Sequence, residues 1–271
     1  RPYHCLGHQL STDASIGIAL APQDGTERDQ LIKNADLAMY AAKAGGRRTF
    51  RFFELAMDES ARARLQLEQD LRRALAEGQF AIHYQPLVDL GDDQITGCEA
   101  LLRWHHPARG MVSPLDFIPL AEDTGLIEEI GDWVLRTATL EAATWPAHIR
   151  IAVNVSPVQL KSRTLALRVA GALAASGLAP QRLEIEITEA VLIRDDEVAL
   201  EILHQLHTIG VRIALDDFGT GYSSLSYLQR FPFDKIKVDR CFVKDITESA
   251  GSVSIVQAVV NIAAVREMTT T

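Results

Sequence analysis

Cysteine is scarce in this 271-residue chain: Cys5, Cys98 and Cys241 stand far apart and form no CxxC pair. An odd, scattered set of this kind points neither to a disulfide framework nor to a zinc site. It fits a reducing, cytoplasmic setting. Long apolar runs are also missing. The longest, Ser254 to Val265, contains Gln257 and Asn261 and is too short to span a bilayer, so no membrane contact is expected of this segment. No signal peptide opens the chain. It begins with Arg1 rather than Met, which leaves open an anchor in a longer parent. Basic residues are outnumbered, 27 against 36 acids, for a net charge of −9. A generic binder of nucleic-acid polymers is therefore not expected, whereas a cluster of acids around a metal ion is still possible. What remains is an ordinary globular composition, 47% hydrophobic and 23% charged, long enough for one large domain or two small ones.

Three zones separate along the chain. In residues 1–53, Ser15 to Leu20 reads as a short buried strand closed by the turn Pro22-Gln23-Asp24-Gly25. Leu31, Ala35, Ala38 and Ala42 then recur at helical spacing over 27–44, and Gly45-Gly46 ends the helix. Arg51-Phe52-Phe53 reads as a closing strand. So few elements make too small a core for an independent domain; the zone reads as the back half of one. Residues 54–78 read as a linking helix with Ala61, Leu65, Leu71 and Leu75 roughly on one face and Gly78 as its cap. Residues 79–271 alternate strand-like and helix-like runs. The strands expected are Phe80–Gln85, Gly97–Trp104, Arg150–Val155, Leu183–Thr188, Val211–Asp216 and Lys235–Asp239. A helix is expected over Glu197–Ile209, and a longer loop over 109–125, with Pro114, Pro119 and Gly125. Strand alternating with helix argues for a parallel sheet. Both a (β/α)8 barrel cut short and an open doubly wound sheet suit the pattern. No GxGxxG follows the first strand, which weakens a dinucleotide-binding version of the latter.

Polar residues inside these strands are the chemical signal. Side chains alternate across a strand, so Glu99, Leu101 and Arg103 share a face, as do Glu184 and Glu186, and Lys235, Lys237 and Asp239. Asn154 and Asp216 fall late in their strands. In a barrel, such ends converge on the active-site face. Converging Glu99, Glu186, Asp216 and Asp217 repel one another. At about 4 Å and an effective dielectric near 20, each like-charge pair costs about 4 kcal/mol, with Arg103 and Lys237 the cations at hand to offset it. Either protons or a cation must help. An all-oxygen set favours Mg²⁺, Mn²⁺ or Ca²⁺ over Zn²⁺. Adjacent Asp216 and Asp217 can both face the site only if the strand breaks there, which Gly219 and Gly221 make easy. Two neighbouring aspartates suit a metal pair about 3.5–4 Å apart, as used in phosphodiester displacement.

Several blocks now stand in order: Tyr84-Gln85-Pro86, Glu99-Ala100-Leu101-Leu102-Arg103-Trp104 with His106-Pro107, Phe117 to Glu122, Gly125-Leu126-Ile127, Asn154-Val155-Ser156, Glu186-Ile187-Thr188-Glu189, Asp216 to Leu225, and Lys235-Ile236-Lys237-Val238-Asp239. Together they resemble an EAL domain over residues 79–271. Ser15-Ile16-Gly17-Ile18-Ala19, Ala35 to Tyr40, Ala42-Lys43 and Gly46-Arg47 resemble the closing segments of a GGDEF domain over 1–53. That domain's signature loop would lie upstream of Arg1, so cyclase activity by this chain is not expected. The EAL resemblance implies a TIM-like barrel that hydrolyses cyclic di-GMP to linear pGpG with Mg²⁺ or Mn²⁺ at a two-metal site. Carried over by motif, Glu99, Asn154, Glu186 and Asp216 are metal ligands and Asp217 holds the second metal. Lys237 orients or polarises the attacking water, Glu189 braces the loop after Asp217, and Arg103 contacts a substrate phosphate. Gln85 and Asp239 are weaker candidates for substrate contacts. The reaction implied is in-line attack of hydroxide on phosphorus, with the ribose 3′ oxygen leaving. The resemblance also implies a homodimer through the barrel.

The chain stops at Thr271, where the family continues into Ala-Glu-Gly-Val-Glu-Thr. A further metal-site glutamate, the rest of strand seven and strand eight are expected beyond that point, so the chain reads as a fragment of a GGDEF–EAL protein truncated after about six strands. Two alternatives therefore stay open: a cyclic di-GMP-binding sensor without catalysis, and an inactive fragment. His204 and His207 read as an exposed helix face, His105-His106 as turn chemistry, and Trp104, Trp133 and Trp145 as packing residues.

Overall fold

The computed structural model describes residues 3–5, 8–10, 13–46, 48–189, 197–219, 228, 230–244, 246–247 and 249–271. The chain divides into two compact units, Arg1–Arg72 and Arg73–Thr271. No helix among the described residues is long and apolar enough to cross a membrane.

The first unit opens with β1 (Tyr3–Cys5) and β2 (His8–Leu10), paired antiparallel. A β-α-β unit follows: β3 (Ile16–Ile18), α1 (Arg28–Ala44) and β4 (Phe50–Phe52), the strands parallel. α1 buries Asn34, Ala38 and Ala42 and ends at Gly45. It lies close on β3: a Cβ on Gly17 would sit 1.9 Å from the Ala35 carbonyl. The strand expected to be buried is not. Ile16 is 53% exposed, and Leu20, Phe50 and Phe52 are exposed beside it. A two-stranded sheet with one helix on it leaves its other face open. Next comes α2 (Leu55–Ala74). Its buried stripe is Leu67, Leu71 and Ala74; Leu71 belongs to the expected face, whereas Leu65 of that face is exposed. Steps of four and three keep that stripe on one side of a helix.

The second unit contains β5 (Phe80–Val88), β6 (Ile95–His106), β7 (Gly110–Val112), α3 (Pro114–Thr124), α4 (Ile127–Ala143), β8 (Arg150–Asn154) and α5 (Leu165–Ser176). It continues with β9 (Leu183–Thr188), α6 (Glu197–Ile209), β10 (Arg212–Phe218), β11 (Lys235–Val238), α7 (Arg240–Lys244), α8 (Ala250–Val265) and β12 (Thr269–Thr270). The sheet order is β12-β11-β10-β9-β8-β6-β5, with β7 paired to β6. β6 and β8–β12 run parallel. The order is sequential and lacks the reversal of a doubly wound sheet, so the pattern is that of a barrel. One face of the parallel strands is apolar: Ile151, Val153, Leu183, Ile185, Ile187, Ile213, Leu215 and Ile236 are fully or almost fully buried. Burial of each such side chain stabilises by about 1.5–3 kcal/mol.

Two expectations fail here. β5 is antiparallel to β6, not parallel, because the link between them is too short for a crossover, which needs about a dozen residues. Residues 109–125 are not a loop. β7 pairs with β6, and α3 follows, with Pro114 in its first turn and Ser113 Oγ accepting from the Leu115 N–H at 3.3 Å. Pro119 stands inside α3. The bond it forfeits belongs to the carbonyl of Leu115, which is exposed at the helix start. The tight turn at His106 is as expected: its Nδ1 accepts from the N–H groups of Ala108 and Arg109 at 3.1 and 3.2 Å. Arg182 closes the carboxyl end of α4, donating to the carbonyls of Ala142 at 2.8 Å and Ile149 at 3.0 Å.

Candidate active site

The face opposite the apolar one carries the polar residues. Register sets their levels: Glu99 of β6 lies beside Ala152 of β8, and Asn154 of β8 beside Glu186 of β9. Glu186 in turn lies beside Ala214 of β10, and Thr188 beside Asp216. Four strands thus bring Glu99, Glu186, Asp216 and Lys237 to one place.

Lys237 is the centre of the group. Its Nζ donates to Glu186 Oε2 at 2.7 Å, Glu99 Oε2 at 3.0 Å and Asp216 Oδ2 at 3.1 Å. Asn154 Nδ2 donates to the other oxygen of Glu99 at 2.7 Å. One oxygen from each of the three carboxylates lies within 4.8 Å of the others. Glu186 is fully buried, and its Oε1 has no hydrogen-bond partner. An unpartnered, buried carboxylate oxygen is costly. Together with two further carboxylates and an amide, it is the donor set a hard divalent cation takes. The residues present therefore fit such an ion.

The electrostatics follow from this packing. Burial pushes the Glu186 carboxyl up to about 8; the Lys237 ammonium opposes that shift, and the charges of Glu99 and Asp216 add to it. Burial also works to raise Glu99, but the Lys237 ammonium and the donors on its oxygens outweigh it and hold it below the usual range. Burial disfavours the charged form of Lys237, yet Glu186, Asp216 and Glu99 together raise its pKa, so it stays an ammonium. Asp217 is raised, first by burial and then by the charges of Asp216 and Asp239.

Contrary to expectation, the strand does not break after Asp216 but continues to Phe218 through a bulge. The pairing of β10 with β11 shifts register between Leu215 and Phe218, and Asp217 sits at φ 54°. The extra residue is a bulge, and its left-handed conformation falls on an aspartate rather than on the glycines that follow. Gly219 is also at positive φ, and its N–H donates to Glu189 Oε2 at 3.2 Å. The remainder of that motif, 220–225, lies outside the described residues, as does Arg47.

Other expected residues lie around this cluster. Arg103 does not offset the carboxylates. Its guanidinium donates to the Leu102 carbonyl at 2.9 Å and makes no ion pair with Glu99, Glu186 or Asp216. It stands four residues beyond Glu99, about 13 Å further along the strand. Gln85 is exposed and lies directly opposite Glu99 across the β5–β6 pair. Asp239 Oδ1 accepts from the Cys241 N–H at 2.7 Å. Glu184 and Lys235, which strand alternation alone leaves without partners, pair with each other, Lys235 Nζ donating to Glu184 Oε1 at 2.5 Å. Strand alternation was the signal available for them.

Sequential strand order and one polar face with carboxylates gathered around the Lys237 ammonium place the second unit among barrel-type α/β domains with an acidic cluster on one face. The EAL domain profile matches residues 68–271, and the chain belongs to that family. The profile described as diguanylate cyclase, GGDEF domain, matches residues 1–49. An uncharacterized signaling protein of Caulobacter vibrioides is 50% identical over 256 residues, which are 94% of this chain and 32% of that protein. The bifunctional diguanylate cyclase/cyclic di-GMP phosphodiesterase MucR of Pseudomonas aeruginosa is 46% identical over 264 residues, which are 96% of this chain and 38% of MucR. The chain thus spans about a third of the length of these curated relatives. A solved structure of the PaMucR phosphodiesterase in complex with c-di-GMP superimposes with a TM-score of 0.72 at 42% identity. The match covers 76% of this chain and 85% of that one.

Proposed function

We propose that this chain carries the hydrolytic site for cyclic di-GMP and opens one phosphodiester to give linear pGpG. The observation that carries this reading is the meeting of Glu99, Glu186 and Asp216 around Lys237, with a buried Glu186 oxygen left unpartnered. The names of the relatives supply the substrate class.

In this reading Glu99, Asn154, Glu186 and Asp216 hold one divalent cation, and Asp217, re-aimed by the bulge, holds a second. Mg²⁺ or Mn²⁺ bound there supplies Lewis acidity toward phosphoryl oxygens and acidifies water. Lys237 stays protonated among its acidic neighbours, so it orients and polarises the attacking water rather than serving as a base. The Glu189 carboxylate fixes Gly219 and so braces the backbone after Asp217. Arg103 presents a guanidinium fork for a substrate phosphate, and Gln85 and Asp239 flank the approach. A cytoplasmic location and a homodimer belong to the same reading.

Incubation with cyclic di-GMP and Mg²⁺, followed by chromatography, tests the reading. The expected product is pGpG. Recovery of intact dinucleotide bound to the chain would favour the sensor reading instead.

A further inference from the structure

Barrel interiors are usually filled by layers of branched apolar side chains. Here a second charged layer lies one step below the carboxylate cluster. Glu184 and Lys235 each stand two residues before a site residue, Glu186 and Lys237, and so point to the same side. Both are buried, at 1% and 8% exposure, and they pair across the intervening strand β10. Arg212 Nε lies 3.8 Å from the second Glu184 oxygen. Ala152 is level with Glu184, and Ala214 is level with Lys235. These small residues leave room for the long polar chains.

A buried ion pair is a poor route to stability, because desolvation offsets its attraction and apolar residues do as well or better. Its position suggests a different consequence. Glu184 is a carboxylate about 7 Å along the strand from Glu186, within reach of a lysine side chain. We infer that Glu184 and Lys235 are positioning residues whose mutual pairing commits Lys237 to the upper cluster. With Glu184 neutralised by Lys235 across β10, Lys237 has its partners only among Glu99, Glu186 and Asp216. With Lys235 held by Glu184, no second ammonium reaches up to compete with a cation. This rests on the reading of the upper cluster as a cation site.

The two single substitutions then act in opposite directions. In Lys235→Met, Glu184 keeps Arg212 at 3.8 Å but loses its hydrogen-bonded ammonium and draws Lys237 down, so the upper carboxylates bind Mn²⁺ about tenfold more tightly while turnover falls. In Glu184→Gln, the freed Lys235 moves toward Glu186, and Mn²⁺ binds about tenfold more weakly. The double variant returns close to the wild-type affinity. The experiment is a Mn²⁺ titration followed by electron paramagnetic resonance, on the full chain without substrate, with a thermal melt on each variant. If a single variant does not fold, the charge-swapped pair Glu184→Lys with Lys235→Glu takes its place and is expected to bind Mn²⁺ like the wild type. Shifts of the same sign in both singles would overturn the inference, as would a double variant no closer to wild type than either single. Wild-type protein that takes up no Mn²⁺ would instead overturn the cation site, and the inference with it.

Discussion

At Lys237 one ammonium is shared by three carboxylates, and removing it leaves them without an ion-pair partner among the described residues. Lys237→Met is expected to destabilise the cation-free chain by about 3–5 kcal/mol, with added Mg²⁺ restoring part of the loss. Urea unfolding measures both, and an unchanged midpoint would count against the arrangement. Glu186 makes a second prediction at this scale. Its carboxyl holds a proton up to about 8, against an ordinary value of 4.5. Between those values the folded chain binds a proton that the unfolded chain releases. Its contribution to stability is therefore fully present below 4.5 and lost as pH rises to about 8. A divalent cation must displace the same proton. Cation affinity is expected to climb with pH up to about 8, with proton release at pH 7 visible by calorimetry in buffers of different ionisation enthalpy. A flat affinity with no proton release would contradict this.

Among the elements, β10 does the most to shape the site, because it carries Asp216 into the carboxylate cluster and bulges at the next residue, Asp217. Asp217 at φ 54° is a conformation that glycine adopts freely and alanine does not. Asp217→Gly and Asp217→Ala both remove the carboxylate, so both are expected to lose one of two bound Mn²⁺ ions. Only alanine pays backbone strain, about 1–2 kcal/mol, and denaturant titration of the pair separates backbone from ligand. Equal stabilities would place the strain elsewhere. The elements also show what a sequence can and cannot reveal. Leu183–Thr188 and Glu197–Ile209 appear with the bounds expected, because alternation and helical spacing are local signals. An irregularity at Asp216-Asp217 was legible too, from two adjacent acids on a strand, though it takes the form of a bulge and not of the break expected. The antiparallel β5 and the helix over Pro114–Thr124 were not. One depends on a short connection, the other on a cap that tolerates prolines. Spacing grouped Leu65 with Leu71 on one face, yet Leu71 is buried and Leu65 exposed, because position on a helix does not say which stripe finds a partner. The Glu184–Lys235 pair was hidden for a similar reason: alternation gives the face, whereas pairing across β10 needs the register.

For the molecule as a whole, the site exists only when the sheet does. Glu99 and Lys237 are 138 residues apart in sequence, and no local segment can assemble their cluster. Cation binding must therefore be linked to folding of the second unit. A free Mg²⁺ concentration about 100 times the dissociation constant is expected to add about 2.7 kcal/mol of stability relative to chelator, read as a rise in melting temperature. A melt indifferent to Mg²⁺ would argue against binding at the folded site. The most direct measurement is the initial rate of pGpG formation from cyclic di-GMP in Mg²⁺, for the wild type and for Glu186→Gln. The wild type is expected to form pGpG, to stop when chelator is added, and to exceed the variant by about 10²-fold or more. Equal rates in the two proteins, or cyclic di-GMP held intact by the wild type in Mg²⁺, would contradict a hydrolytic centre built on these carboxylates.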